Sequence, residues 1–271
     1  MVKYTPVTLD EALKIRNSEQ VIPYAGGTDL MVENRKDAVY LFLNRVKELQ
    51  QIREDETYVC IGSGVTFTQA LQSDLVPALM KEAVSHIAAP AIRNAGTFGG
   101  NLGNGSAKAD SVLIEYVTDS KLKLVSQGAE RIVAVQDFYR GRRDLDLKEN
   151  ELIAEILIPK AGIDDDYYYQ KVGGRNALAI SRVSFAGILN KEDGKVKRVA
   201  VAFGAVADTV LRFREIEEKM TGLSVDAARA MKEEFIRSYA DTMVLTRGRV
   251  SAEYRKAVCS NLLRAFLDQM L

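Results

Sequence analysis

The sequence predicts an α+β protein in two domains, a two-part α/β region followed by an antiparallel sheet with helices on one face. Its 271 residues exceed what one minimal core needs, so about two domains are expected. Up to Pro159, short apolar runs alternate with segments of helical periodicity. Beyond the acidic turn Ala161-Gly-Ile-Asp-Asp-Asp166 the order changes to strands first and helices last, which places a helix layer against a sheet. The expected limits are 1–161, with parts of about 1–55 and 56–161, and 166–271.

Taken in order, Thr8-Leu-Asp-Glu11 has the capping-box pattern, with Ala12, Leu13 and Ile15 on the buried face of the helix it starts. A strand at Val21-Ile-Pro-Tyr24 runs into Gly26-Gly27, and Asp29 to Arg35 reads as a short helix with Leu30 and Met31 inward. Val39–Leu43 and Thr57–Gly62 read as strands, and Thr66 starts a helix. Gly62-Ser-Gly64 follows a strand and precedes a helix, but the third glycine of a dinucleotide fingerprint is replaced by Phe67, so it is not read as one. Pro77–Ala88 is helical and carries the sole histidine, His86, which is assigned a structural role. After a glycine-rich stretch come a helix at Ser111–Val117, strands at Lys121–Ser126 and Arg131–Val135, a short helical piece at Asp137–Tyr139, and a strand at Leu152–Ile158 stopped by Pro159. In the second domain Tyr167–Val172, Ser184–Leu189 and Lys197–Val206 are strands, Glu192-Asp-Gly194 a hairpin turn, and Ser224–Tyr239 and Ser251–Leu271 helices.

Composition removes several classes of function. Lys+Arg and Asp+Glu both total 37, so no charge bias favours nucleic acid or an anionic membrane. No apolar run approaches the roughly 20 residues that span a bilayer, and the first ten residues lack a secretory signal pattern, so a cytoplasmic location is expected. Cys60 and Cys259 are the only cysteines, too few for an iron–sulfur cluster held by this chain, and no metal site is expected.

The chemistry concentrates in two glycine-bearing motifs. Five of the ten residues in Gly96-Thr-Phe-Gly-Gly-Asn-Leu-Gly-Asn-Gly105 are glycine, a pattern expected to exclude regular structure and to turn main-chain N–H groups outward as an anion nest. The second motif, Ala25-Gly-Gly-Thr-Asp29, follows a strand and opens a helical segment, the arrangement that brings amides to a phosphate. Hydrogen bonds to a charged group are worth about 1.5 to 3 kcal/mol each, against about 0.3 to 1 for a helix end, so several amides would dominate. A β-branched residue at Gly27 or Gly99 is therefore expected to cost ligand before it costs fold. Asp29 fits an N-cap as well as a ligand contact.

The two motifs, with Ile92-Arg-Asn-Ala95 before the second and Ala109-Asp110-Ser111 after it, resemble the FAD-binding subunits of the xanthine dehydrogenase family of molybdenum hydroxylases. This group includes carbon monoxide dehydrogenase medium subunits and nicotinate dehydrogenase FAD subunits. The likeness extends along nearly the whole chain, to Ser251-Ala-Glu-Tyr-Arg255. It implies a two-part FAD-binding domain of the vanillyl-alcohol-oxidase type and a C-terminal domain like that of carbon monoxide dehydrogenase flavoproteins. It also implies FAD contacts along Ile22, Pro23, Tyr24, Ala25, Gly26, Gly27, Thr28 and Asp29, and along Thr97, Phe98, Gly99, Gly100 and Asn101. Asp110 matches a carboxylate near the flavin or its ribityl chain, Ile153 an apolar residue at the adenine or flavin edge, and Lys171 a lysine near the isoalloxazine. Ala179 stands where relatives commonly carry an acid.

By the same resemblance a molybdopterin-binding large subunit hydroxylates the substrate, and a [2Fe–2S] small subunit relays electrons to the FAD. NAD⁺ is the expected final acceptor, although no nicotinamide motif is visible. Two alternatives stay open at the level of sequence: a stand-alone FAD-dependent oxidoreductase, and a flavin-free scaffold subunit.

Overall fold

The computed structural model describes residues 3–33, 37–163, 166–175 and 178–271. The expected helix end at Arg35, Asp164 and Asp165 of the boundary turn, and Asn176-Ala177 lie outside the described residues. Contacts divide the chain into one unit of Met1–Ser106 with Asp119–Ala161, and another of Ala107–Thr118 with Gly162–Leu271.

Among the described residues the first unit holds a two-stranded sheet, Tyr139–Gly141 with Asp144–Leu145, and two larger ones. Lys3–Tyr4, Tyr40–Phe42 and Ile22–Tyr24 form a parallel sheet with Tyr40–Phe42 in the middle. The other is antiparallel, in the order Ile52–Glu54, Tyr58–Gly62, Leu152–Pro159, Lys121–Ser126, Ala129–Ala134. Leu152–Pro159 is its central strand, and six of its first seven residues are buried, which is why it is written as an almost unbroken apolar run. Helix Leu9–Ser18 begins at Thr8, whose hydroxyl accepts from the Glu11 amide at 3.2 Å. The Glu11 carboxylate accepts from the Val7 amide at 2.9 Å, one residue earlier than a capping box requires. Ala12 from this helix packs with Val21, Leu41, Leu43, Leu49 and Leu152 in one core cluster. Met31, expected inward, is 65% exposed on the short helix Leu30–Glu33.

The glycine-rich stretch differs from its sequence reading. It contains a helix, Phe98–Gly103, capped by the Thr97 hydroxyl, which accepts from the Gly100 amide at 3.0 Å. Phe98 and Leu102 are buried and hold it in place, so packing overrides glycine's low helix propensity. In the two motifs only Gly27 (φ 67°) and Gly105 (φ 63°) use positive φ.

The second unit is built on the antiparallel sheet Asp166–Val172, Val183–Glu192, Lys195–Gly204. Asp193 (φ 51°) and Gly194 (φ 72°) make the two-residue hairpin turn, the left-handed pair that matches strand twist. Helices Val225–Thr242 and Ala252–Met270, capped by Ser224 and Ser251, cover the face that carries Phe185 and Phe203. Gly187 is glycine because the Phe266 ring lies there: a Cβ would sit 2.9 Å from it.

The predicted helix layer is joined by a helix on the opposite face. Asp110–Val117 packs on the two long strands, and Leu113 reaches Gly204, whose Cα lies across the pleat from Phe203. All eight of its residues are buried. Its C-terminal carbonyls are held by cations, with Arg198 donating to Val117 O at 2.8 Å and Arg212 to Tyr116 O, the arrangement a helix C-terminus favours. Arg212 is itself held by the buried Glu217 carboxylate.

Candidate functional site

A cleft of about 690 Å³ opens in the first unit, and both glycine-bearing motifs line it. Ile22, Pro23, Ala25, Gly26, Gly27, Thr28 and Asp29 contribute from the first, and Thr97, Gly99, Gly100 and Asn101 from the second. The two motifs touch: a Cβ on Gly26 would lie 1.8 Å from Ala95 O, so absence of a side chain is what lets the segments meet. Asn104 Nδ2 donates to the Asp29 carboxylate, a second tie between them. No amide of the turn after Asp29 donates to that carboxylate among the described residues, so it acts as a cross-link and not as an N-cap.

The donors suit an anionic ligand. Among the described residues the amides of Gly26, Gly27 and Thr28 donate to no protein acceptor, although they belong to the cleft wall. A main-chain N–H left in this state needs a partner, and a phosphate oxygen supplies one. The Ser63-Gly64 turn also lines the cleft, but its amides are committed, Ser63 N to Ala154 O at 2.8 Å and Gly64 N to Leu49 O at 2.7 Å. That turn therefore supplies shape and no main-chain donors.

The glycines divide by what their missing side chains make room for. Gly99 makes room for protein, since a Cβ there would lie 2.5 Å from Ser63 Cβ and 2.8 Å from Ser63 O. Gly27 combines its positive φ with a would-be contact of 1.9 Å to the Tyr24 hydroxyl. The expectation that either could be enlarged at the expense of ligand alone is thus corrected: both changes disturb the protein first. Gly103 is different, because a Cβ there meets nothing within 4 Å although the residue lines the cleft.

Not every expected position lines this cleft. Phe98 is fully buried against Phe67, and Tyr24 packs its ring on Tyr40 and Phe42. Ile153 does line it, beside Leu152. Behind them Arg131 binds both oxygens of Glu151 at 2.7 and 2.8 Å and also Asp146 at 2.5 Å. This guanidinium holds the Glu151 and Asp146 carboxyls below the usual carboxylate range. Leu147, between the two acids, is thereby fixed in the cleft wall.

Asp110 and Lys171 lie in the second unit and are brought together there. Lys171 Nζ donates to Asp110 Oδ2 at 2.7 Å, and the Ser181 hydroxyl to Oδ1 at 3.0 Å. The pair is almost completely buried, with side-chain exposures of 9% and 6%. Ala179 lies against Gly173, where a Cβ would be 2.5 Å from Ala179 Cβ, so the missing side chain of Gly173 is what makes room for Ala179. Five residues after Asp110 on helix Asp110–Val117, Glu115 is fully buried and neither carboxyl oxygen has a well-formed hydrogen bond. Burial pushes its pKa up to about 8, and the nearby Ser111 hydroxyl opposes this only weakly.

Sequence reasoning missed Arg16, Ser63, Gly64, Gly103 and Arg143 in the cleft wall. Gly103 and the Ser63-Gly64 turn were visible as glycine signals; Arg16 and Arg143 gave none. His86 sits at the C-terminal end of helix Ala78–Ser85, its Nδ1 2.9 Å from Glu82 O. Among the described residues no group of three or more His, Cys, Asp or Glu side chains could hold a metal, and no helix is long and apolar enough to cross a membrane.

Comparison with known proteins places the chain. Residues 2–161 match the family model for the FAD binding domain in molybdopterin dehydrogenase, and residues 167–270 that for the CO dehydrogenase flavoprotein C-terminal domain. The nicotinate dehydrogenase FAD-subunit of Eubacterium barkeri is 28% identical, over 98% of this chain and 96% of its own. The carbon monoxide dehydrogenase medium chain of Afipia carboxidovorans is 29% identical, over 95% and 91%. Among solved structures, reconstituted CO dehydrogenase from Oligotropha carboxidovorans superposes with a TM-score of 0.91 at 25% identity, covering 100% of this chain and 97% of that one.

Proposed function

We propose, from the premise that this chain belongs to the family of FAD-binding domains of molybdopterin dehydrogenases, that it is the electron-transferring FAD subunit of a multi-subunit molybdenum hydroxylase. It is an oxidoreductase subunit with FAD as its cofactor. The observation that carries the reading is that both motifs wall one cleft, with the amides of Gly26, Gly27 and Thr28 uncommitted among the described residues.

In this reading those amides, with the polar wall of Thr97 and Asn101, hold the diphosphate. Fixed donors replace its water without reorganising, and the Asp29–Asn104 tie keeps the two walls at one separation. The family resemblance assigns Asp110 and Lys171 to the flavin. Within the second unit Ser181 fixes one oxygen of Asp110 and Lys171 the other, so they form a neutralised pair and not a bare charge. Bound FAD supplies the ability to take electrons singly and to deliver a pair as hydride, and no acid or base from this chain is needed for that.

The partners follow from relatives named as subunits and medium chains of dehydrogenases. A [2Fe–2S] small subunit passes electrons to this chain from a molybdopterin-binding large subunit, and NAD⁺ is the acceptor. Affinity capture of the tagged chain from its native host tests the assembly. Molybdenum and iron in the purified complex, with NAD⁺ reduction when substrate is added, are expected. Recovery of the flavin-loaded chain alone would overturn it.

A further inference from the structure

The cleft wall has two chemical characters. One part is main-chain amide and small polar side chain; the other is apolar, with Ile22, Leu43, Leu49, Leu152 and Ile153, and continues into the core of the first unit. One cation, Arg16, stands among these apolar residues. Its guanidinium is anchored on the backbone just beside them: Nη1 donates to Val21 O, and Nε to Glu151 O at 3.5 Å.

Arg16 differs from the other charged residues of the wall. Arg143 pairs with Glu33 at 3.2 Å, and Asp29 is bonded by Asn104. Among the described residues no carboxylate lies within ion-pair distance of Arg16, and its Nη2 has no protein acceptor; Glu149 acts on it only from farther away. Burial lowers the pKa of this guanidinium, the sign of an incompletely solvated charge. A planar, weakly hydrated cation in an apolar wall is a platform for a flat aromatic ring, and its free N–H edge can donate to a ring nitrogen or a sugar hydroxyl.

FAD has two aromatic halves, and their chemistry separates them. The isoalloxazine must meet an electron donor and an acceptor, whereas the adenosine reacts with nothing and can be held against a domain core. We propose that Arg16 is a binding residue for the adenosine half of FAD, seated on the apolar wall of the first unit. The proposal rests on the FAD reading above and adds to it a side chain, Arg16, that contacts the cofactor.

The test compares FAD with FMN, which lacks the adenosine and the phosphate attached to it, by flavin fluorescence titration of the apo chain. R16M keeps the aliphatic stem and removes the guanidinium. It is expected to weaken FAD about tenfold while leaving the weaker FMN binding unchanged. Equal weakening of both flavins would mean that Arg16 only supports the wall or faces the isoalloxazine, and an unchanged FAD affinity would mean no contact; either overturns the proposal. A wild-type chain that binds neither flavin would instead refute the FAD reading itself. The wild-type protein gives an independent measurement should R16M not fold: FAD carrying an 8-azidoadenine is expected to photolabel helix Leu9–Ser18 or the segment Glu151–Ile153, and labelling confined to other segments would overturn the proposal.

Discussion

The buried Glu115 makes stability fall as pH rises through neutrality. Its carboxyl sits at 0% exposure in a helix whose eight residues are all buried, and burial raises its pKa from 4.5 to about 8. The folded state therefore holds this proton more tightly than the unfolded state between those two values. Stability is complete below the unfolded pKa and is lost progressively up to the folded one. From pH 5.5 to 7.5 the loss is about 1.4 kcal/mol per pH unit, or roughly 3 kcal/mol. The Arg131-bound acids Glu151 and Asp146 have lowered pKa values, so their contribution is present above the ordinary carboxylate range and fades only in acid. They leave the neutral window flat. Urea unfolding of the wild type and of Glu115→Gln at pH 5.5, 6.5 and 7.5 isolates the effect, because the amide cannot ionise and every other group is common to both. The difference in unfolding free energy should move by roughly 3 kcal/mol in favour of the variant as pH rises. Parallel pH profiles would show that Glu115 is already solvated or paired, and would refute the argument.

Three other substitutions separate packing from binding. Gly26→Ala places a methyl group 1.8 Å from Ala95 O, a main-chain atom with little freedom to move, and should cost about 1 to 3 kcal/mol of stability by urea unfolding even without ligand. Gly103→Leu meets no protein atom within 4 Å at Cβ, so the unfolding midpoint should hold while flavin titration shows at least about tenfold weaker FAD binding. Lys171→Met removes the cation paired with the buried Asp110 carboxylate, leaving it the Ser181 hydroxyl, and should cost about 3 kcal/mol; adding Asp110→Asn should restore much of it, as a double-mutant cycle would report.

Fold class was legible because local signals agreed with tertiary structure in most elements. The capping residues Thr8, Thr66, Ser224 and Ser251 open helices, and Asp193-Gly194 turns the hairpin. The glycine-rich stretch was misread as irregular because propensity treats glycine as a freedom of φ. Here Gly99 has an ordinary φ, and its missing side chain makes room for Ser63. Met31 was misassigned because a single turn of helix carries too little periodicity to choose a face. Helix Asp110–Val117 was recognised, but not that it packs on the sheet of the second unit: that pairing depends on Arg198, Arg212 and Gly204, far away in sequence. The convergence of the two motifs had a local cause in Gly26, yet only three-dimensional structure brings Ala95 to it.

The cleft of the first unit is assigned one FAD, held through main-chain donors. The direct measurement is the visible spectrum of the purified chain after incubation with excess FAD and gel filtration, with the released cofactor identified by chromatography. Two flavin bands and close to one FAD per folded chain are predicted. A folded chain that emerges colourless would contradict the account.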